Sequence, residues 1–190
     1  MKNKNKLLIS SYVPVAEDKV IFDTNVLINI FYPINFSKKT NQYEKLYENY
    51  KFIFREELSV KIFLSSIQIS EFINRCIRFR FATYCDGRNL DFKKQYRNTD
   101  DYREHMEGIL DIINTDIIDN FSFIDDGFST MNYDNIFKYG FSYDFNDALI
   151  SEIAKRENAY LITHDSDFLN YGTDLKIITA NEGLLKFGQH

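Results

Sequence analysis

Four carboxylates are the residues of this chain best placed to do chemistry. Asp23 follows the apolar run Val20-Ile21-Phe22, and Asp165 follows Tyr160-Leu161-Ile162-Thr163 closely. A carboxylate just past a buried strand points into the crevice where open α/β sheets bind ligands. Glu71 and Asp147 lie early in helical stretches, Ile67–Phe81 and Asp144–Arg156, that follow or pack beside such strand ends. Each residue also has an ordinary role. A strand-end Asp can cap the next helix, a helix-face Glu can simply be solvated, and Asp144 and Asp147 suit the positive end of a helix dipole. Brought to one crevice, the four would repel strongly unless cations neutralised them. An oxygen-only donor set suits Mg²⁺ or Mn²⁺. One or two such ions can activate water and stabilise the leaving oxygen of a phosphodiester in an in-line displacement. No Cys or paired His accompanies the cluster, which argues against zinc, and no glycine-rich phosphate loop is present.

The elements that must position these residues are legible from hydrophobic patterning. Short runs rich in β-favouring residues mark strands at Val20–Phe22, Val60–Leu64, Tyr160–Thr163 and Leu175–Ile178, with Phe121–Ile124 a short strand or a connector. Helices are expected from Val26 to Pro33, over residues 38–56, over Ile67–Phe81, within the acidic stretch around Met106–Ile117, from Asp144 to Arg156, and at Asn181–Phe187. Residues 1–18 read as an irregular lead-in. Strands alternating with helices imply parallel pairing through right-handed crossovers. The expected architecture is one α/β domain over residues 1–190, with a charged helical insertion at about 82–130.

Charge changes sign inside that insertion. Arg75 to Arg97 carries seven basic residues against two acidic ones, with Tyr84, Phe92 and Tyr96 interleaved. Such a mixture suits phosphate contact with base stacking, and Arg75, Arg78, Lys93 and Lys94 are the candidate nucleic-acid contacts. From Asn98 to Asp126 nine acids face one base. Two solvated faces that partly neutralise each other would explain the same pattern. The whole chain has net charge −5 and 44% hydrophobic residues, with 18 Phe, 13 Tyr and no Trp. That composition indicates a globular protein with an aromatic core. Cys76 and Cys85 make no disulfide framework. No stretch reads as a signal peptide or a membrane span, so a soluble, cytoplasmic protein is expected.

Four segments, Phe22–Ile28 (FDTNVLI), Ser65–Phe72 (SSIQISEF), Asp144–Ile150 (DFNDALI) and Leu161–Phe168 (LITHDSDF), make the chain resemble the PIN-domain family of metal-dependent ribonucleases. Their order and surroundings match that family from about Val20 to Ile178. The resemblance implies a three-layer α/β/α fold with a central parallel sheet, and endonuclease cleavage of RNA. It implies Asp23, Glu71, Asp147 and Asp165 as the acidic quartet holding Mg²⁺ or Mn²⁺. Asn25 then corresponds to a polar residue supporting the first Asp, and Asp144 and Asp167 to auxiliary acids. Compact bacterial members are VapC-like toxins paired with an antitoxin, so an antitoxin partner and a homodimer are further expectations. The 76 positions from Glu71 to Asp147 exceed the usual spacing in compact toxins. Two other readings compete. A noncatalytic module of the same fold would bind RNA or protein without cleavage. A phosphatase-like site with Asp23 as nucleophile expects a second Asp two positions on, where this chain has Asn25.

Overall fold

Continuous burial along the central strands shows that the sheet is covered on both faces. In the computed structural model, which describes residues 5–32, 38–57, 61–137 and 144–186, six strands form one wholly parallel sheet. They are β1 (Lys6–Leu8), β2 (Lys19–Phe22), β3 (Lys61–Ser65), β4 (Ser122–Ile124), β5 (Tyr160–Ile162) and β6 (Lys176–Thr179). Their spatial order is β1-β6-β5-β2-β3-β4. Side chains alternate between faces with period two. Accordingly Val20, Phe22, Ile62, Leu64, Ile162 and Ile178 enter one core, while Ile21, Phe63, Leu161 and Ile177 enter the other.

Helices fill the two outer layers, as the resemblance implied. On one face lie α1 (Thr24–Phe31), α2 (Lys38–Glu57), α3 (Ser66–Cys85) and α4 (Asp100–Ile112). On the other lie α5 (Tyr133–Phe137) and α6 (Phe145–Glu157), with α7 (Glu182–Lys186) beside β1. Tyr43, Leu46, Tyr47 and Tyr50 of α2 are buried, matching their helical spacing. No helix of the described residues is long and apolar enough to cross a membrane.

Three expectations need correction. The lead-in contains β1, whose residues Lys6, Leu7 and Leu8 pair with Ile177, Ile178 and Thr179. Three residues give no readable alternation, and the pairing partner lies about 170 positions away. Next, α3 runs beyond Phe81 to Cys85. Phe81 and Tyr84 continue its apolar contact with Tyr96, and the helix stops where Asp86 (φ 44°) and Gly87 (φ 77°) turn left-handed. Finally, the interleaved aromatics form no stacking surface. Tyr96 is fully buried and Phe92 only 8% exposed. Their rings pack with Phe81, Tyr84 and Tyr102 at centroid distances of 4.9–6.3 Å. They are a satellite core between α3 and α4, held by a charge-assisted pair between Arg80 and Asp101, whose carboxylate also accepts the Tyr96 hydroxyl at 2.8 Å.

Residues 82–130 are tied to the sheet by their own strand. β4 pairs with β3 in the register Phe63–Ser122, Leu64–Phe123 and Ser65–Ile124. A single π-helical turn, Ile113–Ile117, extends α4 and returns Ile117 to the core. Pro33, expected to end the first helix, lies outside the described residues, as do Val60 and Phe187. The helix ends at Phe31 with Tyr32 as its cap.

Candidate active site

The strand order reverses at β2. From there the chain builds outward through β3 and β4, then crosses back to lay β5 on the other flank of β2. That reversal opens a crevice at the carboxyl ends of β2 and β5, the place where such sheets bind ligands. Asp23 follows β2 directly. Its backbone N–H donates to the Ile162 carbonyl at 2.9 Å, which locks the two strand ends together. Asp165 follows β5 by three residues.

Thr163 ties the two aspartates into one unit. Its fully buried hydroxyl donates to Asp23 Oδ2 at 2.8 Å and accepts the Asp165 backbone N–H at 3.0 Å. The Asp165 carboxylate in turn accepts the Asp167 N–H at 3.0 Å, capping the 3₁₀ turn Ser166–Asn170. Tyr43 of α2 braces the same region. Its hydroxyl donates to the Thr163 carbonyl at 2.9 Å and accepts the Ala180 N–H at 2.9 Å.

Glu71 reaches the crevice because α3 begins at the end of β3. Ser65 caps α3 through a reciprocal capping box with Gln68, and Gln68 Nε2 also donates to the Phe22 carbonyl at 2.7 Å. Those bonds fix how α3 leaves the sheet beside β2. Glu71 Oε2 accepts the Thr24 hydroxyl at 3.0 Å and Asn146 Nδ2 at 3.3 Å. Its Oε1 meets Arg75 at 3.3 Å, one turn further along α3. Asp147 occupies the first turn of α6, which Asp144 caps by accepting the Asn146 N–H at 2.7 Å.

Electrostatics unite the four carboxyls. Asp23 is only 3% exposed, and burial pushes its carboxyl up to about 6. Glu71 and Asp165 push it the same way, while the Thr163 hydroxyl and the Asn25 backbone N–H oppose them. Asp147 is raised further, to about 8, by burial and then by the charges of Asp23, Asp144, Asp165 and Glu71. Like charges converging on one crevice favour the protonated form or a bound cation. All the donors are hard oxygens, which fits Mg²⁺ or Mn²⁺ better than a soft metal. Among the described residues, no three His, Cys, Asp or Glu side chains already stand as a coordination group. Their oxygens are instead turned to Thr163, Thr24, Asn146 and Arg75.

The remaining candidates are distributed around this centre. Asn25 faces Asp23 with its backbone N–H, while its side chain lines a groove beside Asp165. Asp144 and Asp167 are exposed at the rim. Arg75 adjoins the quartet through Glu71. Arg78 lies on the outer side of α3 with its guanidinium 3.8 Å from the Phe92 ring centroid, and Lys93 and Lys94 are exposed next to that ring. Sequence reasoning overlooked Thr163, Gln68, Tyr43 and Asn146 as parts of the site. The only signal for them was position: each sits within three residues of a carboxylate or on a helix beside one.

A three-layer parallel α/β fold with an anionic crevice at its switch point is the class this molecule defines. The PIN-domain family model matches residues 20–173, and the chain belongs to the PIN-domain family, whose members are generally nucleases using divalent metals. Comparison with curated protein sequences finds no significant match. Among solved structures, the chain is similar to one in the VapBC2 complex from Rickettsia felis bound to a DNA fragment from their promoter. That alignment covers 85% of this chain and 98% of the other, at 17% identity and a TM-score of 0.51. At that identity the likeness is one of fold.

Proposed function

We propose that this protein is a Mg²⁺- or Mn²⁺-dependent endoribonuclease. The observation that carries the reading is the convergence of Asp23, Glu71, Asp147 and Asp165 on the switch-point crevice of a PIN domain, where burial raises the proton affinity of Asp23 and Asp147 and the charges of Glu71 and Asp165 raise it further. Asp23, Asp147 and Asp165 would hold the cation. A divalent ion bound there supplies an acidified water and charge stabilisation at the phosphoryl oxygens. Glu71 is fixed by Thr24 and Asn146, and is either a further ligand or the base that orients the attacking water. Arg75, beside Glu71, faces the backbone phosphate at the cut. Arg78 on α3 and Lys93 and Lys94 in the loop that follows it hold the RNA backbone, as phosphate contacts that carry no sequence information.

The biological setting we propose is the toxin of a toxin–antitoxin pair. Its support is the fold shared with a chain of the VapBC2 assembly. Co-purification with the product of an adjacent open reading frame, and loss of cleavage in that complex, tests it.

The activity itself is tested by incubating a labelled, structured RNA pool with Mn²⁺, Mg²⁺ or EDTA. Metal-dependent cuts are expected from wild type, and none from well-folded Asp23→Asn or Asp165→Asn. Cuts that persist in either variant would remove the acidic quartet from the reaction. Wild type that binds RNA but never cuts it favours a noncatalytic module.

A further inference from the structure

A groove of about 480 Å³ opens beside Asp165. Its size lies within the range of small-molecule sites, ~300–1,000 Å³. One wall is α1, where Asn25 and Asn29 are one turn apart with Ile28 between them. Another is Phe79 of α3, and the floor is His164 and Asp165. Asn25 and Asn29 both line the groove, and neither makes a side-chain hydrogen bond among the described residues, so each amide keeps a donor and an acceptor available. The Phe79 ring is 39% exposed and has no ring partner among the described residues, unlike Phe81 and Tyr84 on the same helix.

The chemistry selects the occupant. No Lys or Arg lines the groove, and Asp165 would repel an anion. The groove itself therefore offers no fixed cationic Lys or Arg to hold a phosphate. A flat, uncharged ligand with a hydrogen-bonding edge suits one aromatic face and two unpaired amides. Asp165 belongs both to this groove and to the acidic site, so the ligand lies next to the reacting centre.

We infer that this groove seats a nucleobase of the RNA, adjacent to the cleaved phosphate, between the face of Phe79 and the amides of Asn25 and Asn29. The inference rests on the proposed nuclease reading for its choice of RNA. Phe79 supplies the sequence-tolerant stacking energy, and the amides hydrogen-bond the edge of the base.

The test measures binding without cleavage. Fluorescence anisotropy in EDTA compares a fluorescein-labelled octaribonucleotide of mixed sequence with its abasic counterpart. Wild type should bind the base-bearing strand ~10-fold tighter. Phe79→Ala and Asn29→Ala should bring that ratio towards one while leaving affinity for the abasic strand unchanged. Phe79→Leu keeps the apolar bulk and guards against misfolding; it too should lose most of the preference. A wild-type ratio near one, or a full preference retained by Phe79→Ala or Phe79→Leu with native circular dichroism, would overturn the inference. Cleavage is scored separately with Mn²⁺. Wild type that never cuts defeats the nuclease reading, yet a base preference lost in Phe79→Ala would still support the groove.

Discussion

Removing the charge of Asp23 should stabilise the metal-free protein while abolishing its metal response. The buried Asp23 carboxyl keeps its proton up to about pH 6, whereas an unfolded aspartate releases it near 3.8. Between those values the folded state binds more protons than the unfolded state. Stability contributed by this group is therefore present at acid pH and lost as pH rises through about 6. The shift corresponds to roughly 3 kcal/mol at 1.36 kcal/mol per pH unit, and local relaxation reduces it, so about 1–3 kcal/mol is the working range. Asn at position 23 can still accept the Thr163 hydroxyl and carries no charge to repel Asp147. In EDTA at pH 8, Asp23→Asn should melt ~2–12 °C above wild type, given ~2–4 °C per kcal/mol for a domain of this size. The two curves should converge near pH 4. Excess Mn²⁺ should reverse the order, because a cation at 100 times its Kd adds about 2.7 kcal/mol to wild type alone. Thermal melts over pH 4–8.5, with EDTA and with MnCl₂, measure all of this. A variant that melts lower at pH 8, or a gap that does not close on acidification, would refute the penalty of burying a charged Asp23 beside other carboxylates.

Three further outcomes are expected. Thr163→Val removes the hydroxyl joining Asp23 to the Asp165 backbone and should cost ~1–3 kcal/mol in denaturant unfolding. The same change should weaken Mn²⁺ binding ~10–100-fold by calorimetry; unchanged affinity would make Thr163 structural only. Reversing charge at Arg78, Lys93 and Lys94 together should weaken RNA binding and flatten its dependence on salt, and an unaltered slope would leave that face merely solvated. Asp101→Ala strips the partner from Arg80 and Tyr96, and should loosen the satellite core by ~1–2 kcal/mol in urea melts without altering Mn²⁺ affinity.

The sequence by itself determined the local half of this molecule. Val20–Phe22 and Tyr160–Thr163 are short, apolar and β-branched, so they had to be buried strands, and a polar residue at their ends had to face the crevice. Helical spacing placed Tyr43, Leu46, Tyr47 and Tyr50 on one buried face without reference to any partner. Asp23 and Asp165 could be named because each stands at such a boundary, and Glu71 and Asp147 because their helical segments resemble those of the PIN-domain family. Tertiary structure decided what is nonlocal. Lys6–Leu8 became a strand only because β6 offers it an edge. Tyr84, Phe92 and Tyr96 carry the composition of a stacking surface, but α4 covers them, so they are core. The bonds from Thr163 to Asp23, from Thr24 and Asn146 to Glu71, and from Tyr43 to Thr163 span 47 to 140 positions. Hydrogen-bonding partners leave no periodicity in a sequence. They exist only once the parallel crossovers have carried distant strand ends to the same edge of the sheet.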